Sequence, residues 1–381
     1  MALLRQVRPG DWPALNELHR WAWFPERSEQ GWLWLHQLGQ DAPGWVLEDA
    51  DGVCGYLGNI RQDYSLASTR LTAATGYSLI VLPRAHGGSK PLLEAFRAQP
   101  GVFATSILNG NARSALIYAR NGFLPFPKAW ANVKIVWPLA PFTILSERVA
   151  RSLYRRQRPS RELFSSLKQG IADPGPPQLV ALDPWTDAAA IDRFDGELRR
   201  SGLLVASRSA RALQARFSNP DSTVAPLLYG WCNAGDLVAL ALAQVGKMSE
   251  CEAAVLDVID LSWLVPEGRS PAAALLAELK AYGRRIGASR LRLSVVNEAT
   301  AALAQCVPGA LIRRGYTHSH VSFADKGSEP LWRPTPYDGD FGFILRPPPV
   351  SDRARLDLET PASSDSMIRR KGQASAVVAD A

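Results

Sequence analysis

A chain of 381 residues with 46% hydrophobic and 21% charged side chains is long enough for two domains and too apolar for a disordered protein. Its net charge of +7 suits an anionic ligand or surface, and no stretch reaches the roughly 20 apolar residues of a membrane-spanning helix. The four cysteines, Cys54, Cys232, Cys251 and Cys306, follow no C-x-x-C spacing and are expected to be reduced core residues. With no long apolar run at the amino terminus, this predicts a cytoplasmic protein.

Leu3 to Val7 reads as a short strand, Arg8-Pro9-Gly10-Asp11 as a turn capped by Asp11, and Trp12 to Trp23 and Ser28 to Leu38 as helices. Gly44 to Glu48 and Val53 to Gln62 are strands around a turn, and Arg70 to Leu82 is a long strand ended by Pro83. His86-Gly87-Gly88-Ser89 then turns the chain into a helix with Lys90 and Pro91 in its first turn. Leu92, Leu93 and Phe96 give that helix an apolar face, and Pro100-Gly101 ends it. A strand at Val102 to Leu108 leads through Asn109-Gly110-Asn111 into the helix Arg113 to Asn121, closed by Gly122. Ala131 to Trp137 is expected to close the first domain as its final strand. A glycine turn of this kind offers free backbone N–H groups and a helix dipole to an anion.

Residues 138–177 differ in composition. Arg148, Arg151, Arg155, Arg156, Arg158, Arg161 and Lys168 outnumber the acids, with Ile144, Leu145, Val149 and Leu153 at helical spacing among them. This reads either as a solvated linker helix or as a basic amphipathic helix touching an anionic membrane surface over residues 144–168. Asp173-Pro174-Gly175-Pro176-Pro177 is a linker.

The order of elements then repeats. A strand at Gln178 to Ala181 and helices at Asp187 to Ser201 and Ser209 to Phe217 precede strands at Leu227 to Cys232, Val238 to Val245 and Ala253 to Leu264. Pro266 to Pro271 turns into the helix Ala272 to Gly283, followed by the strand Arg290 to Val296 and a helix after Asn297. From residue 347 the chain has no apolar period and is expected to be disordered. The expected layout is a domain over 1–140, a basic linker over 141–177, a second domain over 178–346 and a tail over 347–381, with mixed α/β sheets flanked by helices.

The residues Asn111, Leu116, Tyr118, Gly122 and Phe123 stand at N-x4-L-x-Y-x3-G-F spacing, behind a strand, Pro83 and a glycine turn. This resembles the GNAT superfamily, whose members move an acyl group from acyl-CoA to an amine. His86 stands at the arginine of the family turn, and Ser89 and Pro91 at two of its glycines. The second half resembles the same pattern at Val265-Pro266-Glu267-x-Arg269, with Asn297 and Leu303 kept and Ala304 at the tyrosine position. Ala215-Arg216-Phe217-x-x-Pro220 and Tyr337-Asp338-Gly339-Asp340-Phe341 are similar to segments of GNAT-like proteins encoded with bacterial exopolysaccharide genes. The resemblance implies tandem GNAT-like domains, acetyl-CoA or another acyl-CoA as donor, and an amine-bearing small molecule or saccharide as acceptor. It implies that Leu82, His86, Gly87, Gly88, Ser89, Lys90, Asn111 and Arg269 contact the donor.

Acyl transfer needs a proton for the leaving thiolate, and Tyr118 is the residue expected to give it. Family bases are often carboxylates on the strand entering the turn. The first half has none there, while Asp257 and Asp260 lie on the second half's strand, and Asp260 stands six residues before Pro266, as Tyr77 does before Pro83. His318 and His320 lack a nearby third ligand, so no metal is expected. Two other readings stay open: a catalytically silent binding or scaffold protein, and a transferase using aminoacyl-tRNA, although no RNA-binding motif is present.

Overall fold

The computed structural model describes residues 2–343 apart from 23, 41, 67–68, 155–175, 223, 248–250 and 265–268. The arginine run after residue 154, the second turn at 265–268 and the tail expected to be disordered lie outside the described residues.

The first half contributes β1 (Leu3–Gln6), α1 (Trp12–Ala22), α2 (Glu29–Gly39), β2 (Gly44–Asp49), β3 (Gly52–Leu66), β4 (Thr69–Val81), α3 (Ser89–Arg97), β5 (Val102–Ile107), α4 (Ala112–Arg120), β6 (Leu124–Pro125) and β7 (Val133–Pro138). The helix α5 (Pro141–Leu153) follows. The second half contributes β8 (Leu179–Ala181), α6 (Ala188–Arg199), β9 (Val205–Ala206), α7 (Ala210–Phe217), β10 (Leu227–Asn233), β11 (Asp236–Gly246), β12 (Val255–Trp263), α8 (Arg269–Arg285), β13 (Arg290–Ser294), α9 (Glu298–Gln305), β14 (Leu311–Arg314) and β15 (His320–Phe323). The repeat read in the sequence is present as two mixed sheets with helices on their faces.

The sheets trade a strand. One has the order β1-β2-β3-β4-β5-β15-β6 with β9 added to β3, and the other has the order β14-β7-β13-β12-β11-β10-β8. The strand expected to close the first sheet, β7, instead lies between β13 and β14, pairing Leu293 with Ile135 and Ile312 with Ile135 on its two sides. Its place in the first sheet is taken by β15, which pairs His320 with Ile107 and with Pro125. The alternation of Val133, Ile135 and Trp137, all buried, against Lys134 and Val136 marks a half-buried strand. That period says nothing about which sheet the strand joins, and so the expectation failed.

Each sheet opens at the same point. The parallel ladder between β4 and β5 ends at Thr75 opposite Ser106, while β4 runs on to Val81. The pairing of β3 with β4 skips a residue between Tyr56 and Gly58, and Ser78 takes φ +52°. In the second sheet β12 and β13 part after Val258 opposite Leu293, with a bulge between Leu242 and Ala243. A bulge bends its strand, so both sheets spread where the parallel pair loses its hydrogen bonds.

Packing fixes which face meets what. Leu92, Leu93 and Phe96 of α3 and Tyr118 of α4 join Phe123 on one face of the first sheet. Leu15, Leu18, Trp32, Trp34 and Leu35 of α1 and α2 cover Val46, Tyr56, Tyr77 and Ile80 on the other. A third cluster contains Tyr64, Phe103 and Leu108 from the first half with Leu213, Leu240, Ile259 and Trp332 from the second, so the halves share a core. Burying each such side chain contributes about 1.5–3 kcal/mol. Cys54 is buried as expected, whereas Cys306 is exposed.

Candidate functional site

The glycine turn stands at the end of β4, where the first sheet opens. Leu82 N–H donates to the Cys54 carbonyl at 2.8 Å, Ala85 N–H to Leu82 at 2.9 Å and Gly88 N–H to Ala85 at 2.9 Å, so the turn is tightly wound. Gly87 has φ +82°, which only glycine adopts without strain. A Cβ on Gly88 would stand 2.4 Å from Leu47 Cδ1 and 2.9 Å from the Ala85 carbonyl oxygen, so the turn sits directly against the sheet. Among the described residues, the N–H groups of His86 and Gly87 have no acceptor, and both residues are exposed. They precede the amino terminus of α3, whose dipole favours an anion at the same point. Ser89 is half-buried at the first position of α3, and Lys90 is exposed, 3.9 Å from Glu94. Arg84 pairs with Asp49 at 3.0 Å instead of pointing into the turn.

Tyr118 projects from α4 into the core beneath this opening. Asn111 caps the helix by accepting from the Arg113 and Ser114 N–H groups, both at 2.9 Å. The structure thus gives the Asn111 side chain a capping role. Tyr118 is buried, its ring 5.4 Å from that of His320, which arrives on the exchanged strand. Burial pushes the Tyr118 hydroxyl above its ordinary value and Ser114 opposes this by hydrogen bonding, while the charge of Asp340 adds to the rise. Burial pulls His320 down to about 4, so its ring is neutral at pH 7.

The carboxy-terminal segment joins the two openings. In the second sheet, Asn297 Nδ2 donates to the Pro334 carbonyl at 2.5 Å and Thr335 Oγ1 to Asp260 Oδ1 at 2.7 Å. Arg208 donates to Asp260 at 2.9 and 3.2 Å and to Asp338 at 3.2 and 3.3 Å, and all three are buried. Arg208 also lies over the Tyr337 ring at 4.5 Å. Ser262 adds a third donor to Asp260 Oδ1 at 3.1 Å. Asp260, read from sequence as a base, is therefore held in a buried ion pair inside the second opening. Asp257 is likewise bound, to Arg292 at 2.6 and 2.9 Å. Arg269 is exposed at the start of α8.

From there the segment crosses to the first opening. A Cβ on Gly339 would lie 2.8 Å from Leu108 Cβ, just past the end of β5, and Gln62 Nε2 donates to the Asp338 carbonyl at 2.7 Å. Phe343 packs with Tyr77 and Ile80 of β4 and with Trp34 at 5.5 Å. Residues 339–343 thus bridge the diverging ends of β5 and β4. Half-buried Asp340 sits on this bridge, and its charge reaches Tyr118. Sequence reading missed this carboxylate, although the D-G-D-F run that contains it was a visible signal.

Beside the bridge, Arg8, Trp12, Trp32, His36, Tyr56 and Tyr77 line a depression between α1, α2 and the sheet. Tyr56 donates to the Tyr77 hydroxyl at 2.9 Å, and Gly58 opposite leaves room for the Tyr77 ring, since a Cβ there would meet it at 2.2 Å. Among the described residues, no group of three metal-ligating side chains could hold a metal, and no helix is long and apolar enough to cross a membrane.

No protein-family model matches the chain, and no curated protein sequence matches it. Solved structures do. The chain is similar to a GCN5-related N-acetyltransferase from Anabaena variabilis ATCC 29413, with TM-score 0.52 and 12% identity over 85% of this chain and 73% of that one. It is similar to a protein of unknown function from Enterococcus faecalis V583, described as a probable N-acyltransferase, with TM-score 0.52 and 9% identity over 85% and 73%. Saccharomyces cerevisiae N-myristoyltransferase with bound myristoyl-CoA and inhibitors gives TM-score 0.52 and 8% identity over 84% and 79%. At such identities the likeness is one of fold: the chain has the GNAT fold, built twice.

Proposed function

We propose that this protein transfers an acyl group from an acyl-CoA to an amine, and that the first half holds the donor. The observation that carries this reading is the contrast between the two openings. The first has a glycine turn with unpartnered N–H groups at its mouth, a buried tyrosine beneath it and an aspartate near enough for its charge to reach that tyrosine. The second is filled by Thr335 and the Arg208–Asp260 pair. The N–H groups of His86 and Gly87, the α3 dipole and the side chains of His86, Ser89 and Lys90 would take the CoA phosphates. The solved neighbours, among them one with bound myristoyl-CoA, support an acyl-CoA donor.

In this reading the thioester lies at the end of β4, between the glycine turn and the 339–343 bridge. Asp340 takes the proton of the incoming ammonium, directly or through water, and the neutral amine attacks the carbonyl carbon. The C–N bond forms, the C–S bond breaks, the leaving thiolate takes the proton of Tyr118, and the second proton shed by the attacking nitrogen passes through water to the tyrosinate and restores it. A tyrosine with a raised pKa stays protonated until that moment. The acceptor would be an amine-bearing small molecule or a saccharide, and the shallow depression under α1 and α2, with half-buried Trp12 at its rim, lies on the side from which it would approach.

Thermal unfolding with acetyl-CoA, myristoyl-CoA and free CoA tests the donor. A ligand at 100 times its dissociation constant adds about 2.7 kcal/mol, a rise of several degrees. We expect one acyl-CoA to raise the melting temperature of the protein. No rise with any of the three would support a silent scaffold instead.

A further inference from the structure

The helix α5 is amphipathic in the wrong direction for a helix docked on a globular body. Its inward face is held by ion pairs, with little apolar surface beside them. Glu147 is buried and pairs with Arg290 and, at 2.8 Å, with Arg151, which also pairs with Glu252. Ala150 is the other buried residue of the helix. Its start is pinned by the Leu139 and Ala140 N–H groups, which donate to the Ser289 carbonyl at 2.9 and 3.1 Å. The outward face is apolar: Phe142 is 87% exposed, Leu145 58%, Val149 54% and Leu153 76%. At 100° per residue these four positions fall on one narrow stripe. Isolated exposed apolar residues are ordinary, but a continuous stripe on a helix anchored by its charges marks a contact surface.

We propose that this face of α5 docks on an anionic lipid surface. The charge around the stripe selects that occupant. Arg148 flanks it and is exposed. The sequence after Arg151 adds Arg155, Arg156, Arg158 and Arg161 before the next acid, Glu162, in a chain of net charge +7. Four apolar side chains flanked by an arginine, with four more arginines following in sequence, are what an interfacial helix needs to enter the headgroup layer and hold there. A second copy of the chain is disfavoured, because each copy carries a net charge of +7 and pairing α5 with α5 would bring like charges together. This inference does not depend on the acyl-transfer reading.

The test is co-sedimentation of the full chain with vesicles of equimolar phosphatidylcholine and phosphatidylglycerol, and with vesicles of phosphatidylcholine alone. The protein is expected to pellet with the anionic vesicles, to bind the neutral ones far less, and to release as salt rises. The double variant Leu145→Glu/Val149→Glu should bind anionic vesicles roughly tenfold more weakly, with an unchanged melting temperature because both side chains face solvent. Three results would each overturn the proposal. One is absence of wild-type binding to anionic vesicles. Another is equal binding by the variant. The third is a wild-type dimer in light scattering that the variant abolishes, which would assign the face to a second copy. A variant that melts early while wild type ignores vesicles also counts against it, since the face would then be covered by the chain itself.

Discussion

Tyr118 and Asp340 come from different halves of the protein, and the charge of the aspartate reaches the tyrosine. Their proposed roles predict separable effects. Tyr118→Phe removes the hydroxyl and keeps the ring, so stability should change by no more than about 1 kcal/mol. Turnover should fall about 10²–10⁴-fold with KM for acyl-CoA unchanged. Asp340→Asn should lower turnover most near neutral pH, and an amine of lower pKa should recover part of the loss, since it needs no base. Release of free thiol over a panel of primary amines measures both. Wild-type turnover in Tyr118→Phe would remove the tyrosine from the mechanism. The tyrosine was legible because a helix fixes the spacing of Asn111, Tyr118 and Gly122. The aspartate was not, because contacts between distant parts of a chain leave no periodic trace. The same blindness left Asp260 as a candidate base, since nothing near it in sequence announces Arg208 as its partner.

The segment from Trp332 to Phe343 acts as a strap between the openings, and Arg208 is its fastening. A buried cation between two buried carboxylates is costly to break, because the survivors keep their charge without a partner. Burial already pushes the Asp338 carboxyl up, with Arg208 opposing it. Arg208→Met should therefore cost about 3–5 kcal/mol in urea unfolding. Replacing Asp260 and Asp338 by Leu in the same chain should recover most of that loss, since a matched apolar set is close to neutral. Failure of the triple variant to recover would mean that the strap needs these charges for its placement. Arg216 supports the same strap by stacking on Tyr337 at 3.5 Å and on Phe343 at 4.4 Å. The Ala215-Arg216-Phe217 run is thus accounted for: Ala215 accepts from Trp34 Nε1 at 2.8 Å, and Arg216 holds the strap. The sequence pattern located these residues, but their partners lie across the boundary between the halves.

The exchange of β7 and β15 makes the whole molecule one cooperative body. Residues 1–154 alone would keep β7 without its sheet, and would leave β6 without its described strand partner. Calorimetry of the full chain should show a single unfolding transition, with calorimetric and van't Hoff enthalpies equal. Fragments 1–154 and 176–381 should each lack a native unfolding transition. Two resolved transitions, or a folded isolated fragment, would contradict this. Element types were readable from period and punctuation, and the repetition of their order foretold two like sheets. Strand partnership was not readable, because the alternation of β7 names no partner sheet, and β15 buries His320 and Val321 in succession with no alternation to read.

The same exchange sets a clock on the ribosome. The first sheet has its turn, its tyrosine and its helices in hand once β7 has emerged, yet the strand that must lie against β5 ends at Phe323. At about 5–20 residues per second, roughly ten to forty seconds of further synthesis separate the two. Throughout that interval the nascent half presents an unpaired strand edge and a buried-type row on β7 to the solvent, which is the state that chaperones capture and that aggregates when they do not. Yield in a cell should then respond to chaperone supply and to translation rate more than to the stability of the finished fold.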